Sequence, residues 1–210
     1  MYHFMRIFVA TLCLIMSLPA CKTSVEVMAT KKENNLAVTH TKFRGTIFRE
    51  NYPFSKLFVS DVDSTTRFTP TKYDIVKAER LLRQQLSSIN KSRINQLKSN
   101  PIIHKNLNNY FRQYVGVMNH RGERIIHINF YWDKYSLFER IKGYSDSRLK
   151  FEDDYAIVFD GGSRYWQVNV NLTTEKLSDL QVNGIASKKR HITQPLHQPG
   201  CIAVAKAVSF

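Results

Sequence analysis

The hydrophobic period of this chain changes once, and that change sets the class of fold it can adopt. Ile75, Ala78, Leu82, Leu86 and Ile89 recur at three- and four-residue spacing, the apolar stripe of an amphipathic helix. Two starts fit the residues upstream. Either Thr69 caps the helix with Pro70 at its first position, or Thr71 pairs with Asp74 at capping-box spacing. Lys77, Arg80, Arg83 and Lys91 take the other faces, the helix fades near Asn90, and Asn100-Pro101 is a firm stop. Beyond it the period is two. Residues 110–118 (YFRQYVGVM), 124–132 (RIIHINFYW), 155–160 (YAIVFD), 164–172 (RYWQVNVNL) and 177–183 (LSDLQVN) read as successive strands. Asn119 to Gly122, a longer loop 133–154, Gly161-Gly162-Ser163 and Thr173 to Lys176 join them, as in antiparallel hairpins. Tyr165, Gln167, Asn169 and Asn171 alternate with Trp166, Val168, Val170 and Leu172, so the sheet has one wet face and one dry face.

A helical stripe and a dry sheet face bury one another when the helix lies across the sheet. The expected fold is therefore α+β: one amphipathic helix packed on an antiparallel four- to five-stranded meander sheet. Over residues 68–184 this element order resembles the cystatin-like domains, in which a curled sheet grips a helix. The resemblance implies a fold and no activity. The inhibitory Gln-x-Val-x-Gly loop of true cystatins is absent, since Gln113-Tyr114-Val115-Gly116 has a different spacing. Residues 43–59 add one or two short strands, broken by Pro53.

The amino-terminal residues specify an address. After Arg6, Ile7 to Leu18 form an apolar run of secretory length, too short for the ~20 residues of a membrane-spanning helix. Leu18-Pro19-Ala20-Cys21 follows and resembles the lipobox of bacterial lipoproteins. The resemblance implies cleavage before Cys21, a diacylglycerol thioether on its sulfur and an acylated amino terminus, hence a membrane anchor. The alternative is an ordinary signal peptide cut after Ala20. Lys22 at the second mature position leans, by resemblance to lipoprotein sorting, toward the outer membrane. The chain then divides into a signal peptide (1–20), a lipidated Cys21 with a flexible polar tether (21–42), a single α+β domain (43–186) and a basic, then apolar, carboxyl-terminal tail (187–210). That tail is either an added edge strand or a loosely attached segment.

Cysteine usage agrees with export without a disulfide framework: Cys13 leaves with the signal, Cys21 carries lipid, and Cys201 is left alone. The aromatic content of 12% argues against wholesale disorder. A net charge of +14 calls for an anionic partner or reflects solubility alone. Nucleic acid is not expected for an exported protein; an envelope protein, anionic lipid or acidic glycan is closer at hand.

Motifs for chemistry are weak. Seven histidines show no His-x-x-x-His or Cys-x-x-Cys spacing, so no metal and no cofactor are expected. Glu152-Asp153-Asp154 lacks the alternating ligands of a calcium loop and reads as solvated. Asp160-Gly161-Gly162-Ser163 leads into a strand rather than a helix, so it reads as a turn and not a phosphate cradle. The expected function is a non-enzymatic binding module with no catalytic residues, whose candidate binding face gathers Tyr131, Trp132, Tyr165 and Trp166. The alternative is an envelope hydrolase with a site near Asp160 and His127, joined by Asp133 and Asp153.

Overall fold

The computed structural model describes residues 24–54, 66–96, 100–134 and 148–184. They form an α+β fold, a mostly antiparallel sheet of eight strands with one main helix across it. The strands are β1 (Glu26–Ala29), β2 (Asn35–His40), β3 (Phe43–Phe48), β4 (Arg67–Phe68), β5 (Tyr110–Met118), β6 (Arg124–Trp132), β7 (Tyr165–Asn171) and β8 (Lys176–Val182). Helix α1 spans Lys72–Ile89 and a short helix α2 spans Arg148–Asp153. Sheet order is β1-β2-β3-β5-β6-β7-β8. All neighbours are antiparallel except β3 and β5, which run parallel with Arg44 opposite Phe111. Two-residue β4 pairs with the far part of β5, at Gly116 and Val117. Gly116 is needed there, because a Cβ would run into the Phe68 carbonyl oxygen.

Of the two starts the sequence offers, helix α1 uses the Thr71–Asp74 capping box and not Thr69 with Pro70. Thr71 is the N-cap and accepts from the Asp74 amide, while the Asp74 carboxylate accepts from the Thr71 amide. Ile75, Ala78, Leu82 and Leu86 are buried, and Ile89 packs at the margin. They meet Tyr114, Ile126, Ile128, Phe130, Trp166, Val168 and Val170 on the dry face of the sheet. A second, smaller cluster lies on the opposite face, where Phe48, Val115, Val117 and Ile125 are covered by Tyr52, Phe54 and Tyr155.

The helix also carries a buried charge to the sheet. Glu79 Oε1 accepts from Arg112 Nε at 2.6 Å and from the Tyr114 hydroxyl at 2.8 Å. Arg112 is wholly buried and donates to the Tyr110 and Leu107 carbonyls at 2.6 and 3.0 Å. Its guanidinium lies 4.8 Å from the Phe43 ring centre and 5.5 Å from that of Phe130. The pair ties α1, β3, β5 and β6 together.

Three sequence expectations need correction. Residues 26–29 and 35–40 of the expected tether are strands β1 and β2, so the folded unit begins well before residue 43, and the meander of four or five strands becomes a sheet of eight. Residues 155–160 are not a strand. They cross the polar face of the sheet, and Gly161–Ser163 is not a hairpin turn but the approach to β7 through a 3-10 turn at Gly162–Arg164. β7 consequently pairs directly with β6 across the long excursion between them. Third, Glu152 and Asp153 are not loop but the end of α2, with Asp154 just beyond it; the carboxylates of Asp153 and Asp154 are exposed as expected, while the backbone carbonyls are held by the sheet. Cys21, Cys201 and the tail 187–210 lie outside the described residues.

Candidate functional site

The face of the sheet opposite α1 is built from side chains that alternate with the core. Strand pairing places Asn129 beside Gln167, His127 beside Asn169, and Tyr131 beside Tyr165. β8 adds Gln181 beside Gln167. Helix α2 and residues 154–160 lie over part of this face. Their attachment is polar and buried. Gln113 Nε2 donates to the Phe151 and Asp154 carbonyls at 2.7 and 2.9 Å, and Asn35 Nδ2 donates to that of Asp153 at 2.7 Å. Thr46 Oγ1 donates to the Glu152 carbonyl at 3.1 Å. These carbonyls belong to a helix end, where no intrahelical partner exists. Three buried polar residues of the sheet, Asn35, Thr46 and Gln113, supply the missing donors.

Beside this strap runs a chain of hydrogen bonds with one direction. Asn169 Nδ2 donates to Asp179 Oδ2 at 2.9 Å, which turns its carbonyl oxygen toward His127. His127 Nδ1 lies 2.8 Å from that oxygen and must donate to it. Nε2 of the neutral ring then accepts from the Tyr155 hydroxyl at 3.2 Å, and Tyr155 in turn accepts from Asn129 Nδ2 at 3.2 Å. Asn129 also donates to the Tyr131 hydroxyl, which stands against Gln113 Oε1 and the Ala156 carbonyl. Each residue in the series Asn129, Tyr155, His127, Asn169 has one donor directed along the path to Asp179, an arrangement in which the bonds polarise one another favourably. Burial lowers the His127 pKa against the opposing pull of Asn169 and Asp179. Burial also raises the Tyr131 and Tyr155 hydroxyls well above the usual phenol range. All three are thereby held uncharged near neutral pH.

Next to this network is a small, open groove of about 100 Å³, lined by Asn129, Tyr155, Ile157, Val158, Tyr165, Gln167 and Asn183. Asn183 closes one side, donating to the Val158 carbonyl. The Tyr165 ring closes another by lying across Gly161, where a Cβ would strike it at 2.6 Å. Gly161 has φ +94°, a conformation that glycine adopts without strain. The lining offers amides and hydroxyls with a little apolar wall, which suits a ligand that is itself a hydrogen-bonding, uncharged surface.

The four aromatics expected as a binding face do not share one. Trp166 is 1% exposed and stacks on Phe130 at 3.6 Å under α1. Trp132 packs at the margin of that same core. Tyr131 is 1% exposed on the opposite face, and Tyr165 alone of the four borders the groove. Strand alternation sends residues 131 and 132 to opposite faces, and the two tryptophans go inward with the core.

The residues weighed for hydrolysis are also apart. Asp133 is engaged by Arg44 at 2.8 Å, with Phe111 beneath the guanidinium. His127 is engaged by Asn169 and Tyr155 as above. Six strand residues separate the two, a span of roughly 20 Å. Asp153 is exposed at the end of α2, and Asp160 lies near Asn183, which donates to its carbonyl at 3.4 Å. Among the described residues, no three His, Cys, Asp or Glu side chains come together as a metal ion would need. No helix among them is long and apolar enough to cross a membrane. Sequence reading missed Asn129, Gln113, Tyr155 and Asn183. The only available signal was the Gln-x-Asn-x-Asn alternation of 167–171, which marks a polar face and not its partners. No family model, no curated protein and no solved structure matches this chain.

Proposed function

We propose that this chain is a lipid-anchored bacterial envelope lipoprotein that acts as a non-enzymatic binding module. Cys21 is its lipid site, and the outer membrane is its address by the Lys22 that follows. The helix and the β5–β8 meander keep the element order of a cystatin-like domain, with β1–β3 as an addition to the sheet. The observation that carries the binding role is the neutral, one-directional network beside the groove. His127, Tyr131 and Tyr155 are each pushed toward the uncharged form, and their hydrogen bonds are used in holding the groove wall. Such a wall positions Asn129, Gln167 and Asn183 for recognition rather than for proton transfer. The ligand class is an envelope component rich in hydroxyls and amides, such as a glycan. The test is a nuclear magnetic resonance titration with soluble peptidoglycan and lipopolysaccharide-core saccharides. Shifts confined to Asn129, Gln167 and Asn183, and lost in Gln167→Ala, support the reading; shifts spread over the helix face overturn it. Fatty-acid labelling of the wild type, absent in Cys21→Ser, tests the anchor.

A further inference from the structure

Strand directions alone determine where the two ends of the folded unit leave it. β1 and β2 are antiparallel, as are β2 and β3; β3 and β5 are parallel; β5 to β8 alternate. Counting along this order, β1 begins at the same end of the sheet at which β8 finishes. That end is knit together. The Asp133 amide donates to the Asn109 carbonyl at 2.8 Å, and the Gly162 amide donates to the Gly184 carbonyl at 3.0 Å. Asn95 Nδ2 donates to the Val182 carbonyl at 2.9 Å, which brings the turn after α1 to the same end. Val25 is buried in the core, and Cys21 precedes it by four residues, a reach of at most ~14 Å. On the other side, Gly184 precedes Lys188-Lys189-Arg190 by four residues.

We infer that this end of the sheet is the membrane-facing surface of the protein, seated against anionic lipid head groups. The inference rests on the anchor at Cys21, and it adds an orientation and a contact surface. A tether this short gives the unit little freedom to turn over. The end that it draws down is about 29 Å wide, six strand spacings from β1 to β8. Exposed cations are spread along it: Lys42 in the β2–β3 turn, Lys105 before β5, Lys134 after β6, and Lys91 and Arg93 after α1. Glu26 and Asp160 oppose them, while Asp133 is engaged by Arg44. Charge by itself does not choose this end, because Lys31, Lys32 and Arg121 decorate the other. The tether chooses it, and the cations make the contact favourable. The earlier tether expectation would have put Lys31 and Lys32 at the membrane; the β1–β2 hairpin carries them to the far end.

The test uses the lipidated mature protein with Cys201→Ser, carrying one fluorophore at Lys42→Cys or at Arg121→Cys. Both positions are exposed, and they are separated by the length of β5, roughly 30 Å for its nine residues. The protein is placed in vesicles of phosphatidylethanolamine and phosphatidylglycerol that carry a head-group acceptor dye. Energy transfer should be several-fold stronger from position 42. Equal or stronger transfer from position 121 overturns the orientation while leaving the anchor intact. Wild-type protein that takes up no fatty acid overturns the anchor, and the orientation with it. A second measurement keeps the lipid anchor, which sets the orientation, and repeats the transfer from position 42 with Lys105 and Lys134 both changed to Gln. Losing these two head-group contacts, at about fivefold per residue in the contact equilibrium, should lower the transfer on the anionic vesicles. The same change at Lys31 and Lys32 should leave it nearly unaltered; equal losses from the two sets overturn the inference.

Discussion

Removing the Glu79 carboxylate probes the seam between helix and sheet. Glu79 and Arg112 side chains are 5% and 0% exposed and meet at 2.6 Å. In Glu79→Ala one buried cation loses its counter-charge, and the Tyr114 hydroxyl loses its acceptor in the same step. Arg112 keeps the carbonyls of Tyr110 and Leu107, which are dipoles and do not neutralise it. Breaking one side of a buried pair costs about 3–5 kcal/mol, a large share of the 5–15 kcal/mol typical of a domain. Glu79→Gln should cost less, since the amide oxygen still accepts from Tyr114. The double variant Glu79→Leu with Arg112→Met removes both charges and should recover most of the loss, because apolar replacement of a buried ion pair is often neutral. Recovery stays incomplete, as the Tyr110 and Leu107 carbonyls lose their donors. Urea titrations followed by circular dichroism, at constant m value, give these differences from the midpoints. A loss below about 1 kcal/mol in Glu79→Ala, the size expected for an exposed pair, would mean that Arg112 does not depend on this buried counter-charge. So would a double variant as unstable as the sum of the singles.

Leu82→Ala, at the buried centre of the α1 stripe, should cost roughly 2–5 kcal/mol, whereas Tyr73→Ser on its exposed face should stay within about 0.5 kcal/mol; similar losses in a denaturant titration would mean the wrong face is buried. Gly45→Ala should destabilise by about 1–3 kcal/mol, because a Cβ there meets the Arg112 carbonyl oxygen and the Tyr114 ring. The His127 pKa is lowered in the folded state, so the unfolded chain takes up the extra proton as pH falls. Stability should therefore decline below the ordinary histidine value of about 6.5 and level off beneath the folded value. That slope should be shallower in His127→Gln, as read from thermal midpoints between pH 7 and 4.5; an unchanged slope would exclude His127 as its source.

Local signals in the sequence proved reliable where the structure is local. The α1 stripe and the Thr71–Asp74 cap depend on residues three or four apart, and both appear as spelled. Strands β5 to β8 were legible from alternation, since one face of each is buried under α1. Strands β1 and β2 were not: β1 is the polar edge of the sheet, and β2 beside it turns only Leu36 and Val38 to the core, so the two together resemble a tether. Residues 155–160 misled for the opposite reason. Tyr155 packs with Phe48 and Phe54, so the segment is apolar on one side without being paired in the sheet. The Glu79–Arg112 pair joins positions 33 residues apart, and the relay from Asn129 to Asp179 joins four strand and strap segments. Charge and amide content announce such residues as solvated. Register alone reveals their partners.

The parallel pairing of β3 with β5 divides the chain into two pieces that meet late. Arg44 faces Phe111 across the seam, 67 residues away in sequence, while the β1–β2 and β5–β6 hairpins close over a handful. On chain-closure entropy alone, the seam is dearer than a four-residue hairpin loop by roughly 2.5 kcal/mol. The β1–β3 hairpins and the β5–β8 meander can therefore form first, each presenting one open edge to the other. Until Phe48 reaches Val115, those two edges are bare rows of amides and carbonyls, open to any other extended chain nearby. Closure of that seam is the expected slow step of folding, and crowded chains caught before it closes would pair with one another there.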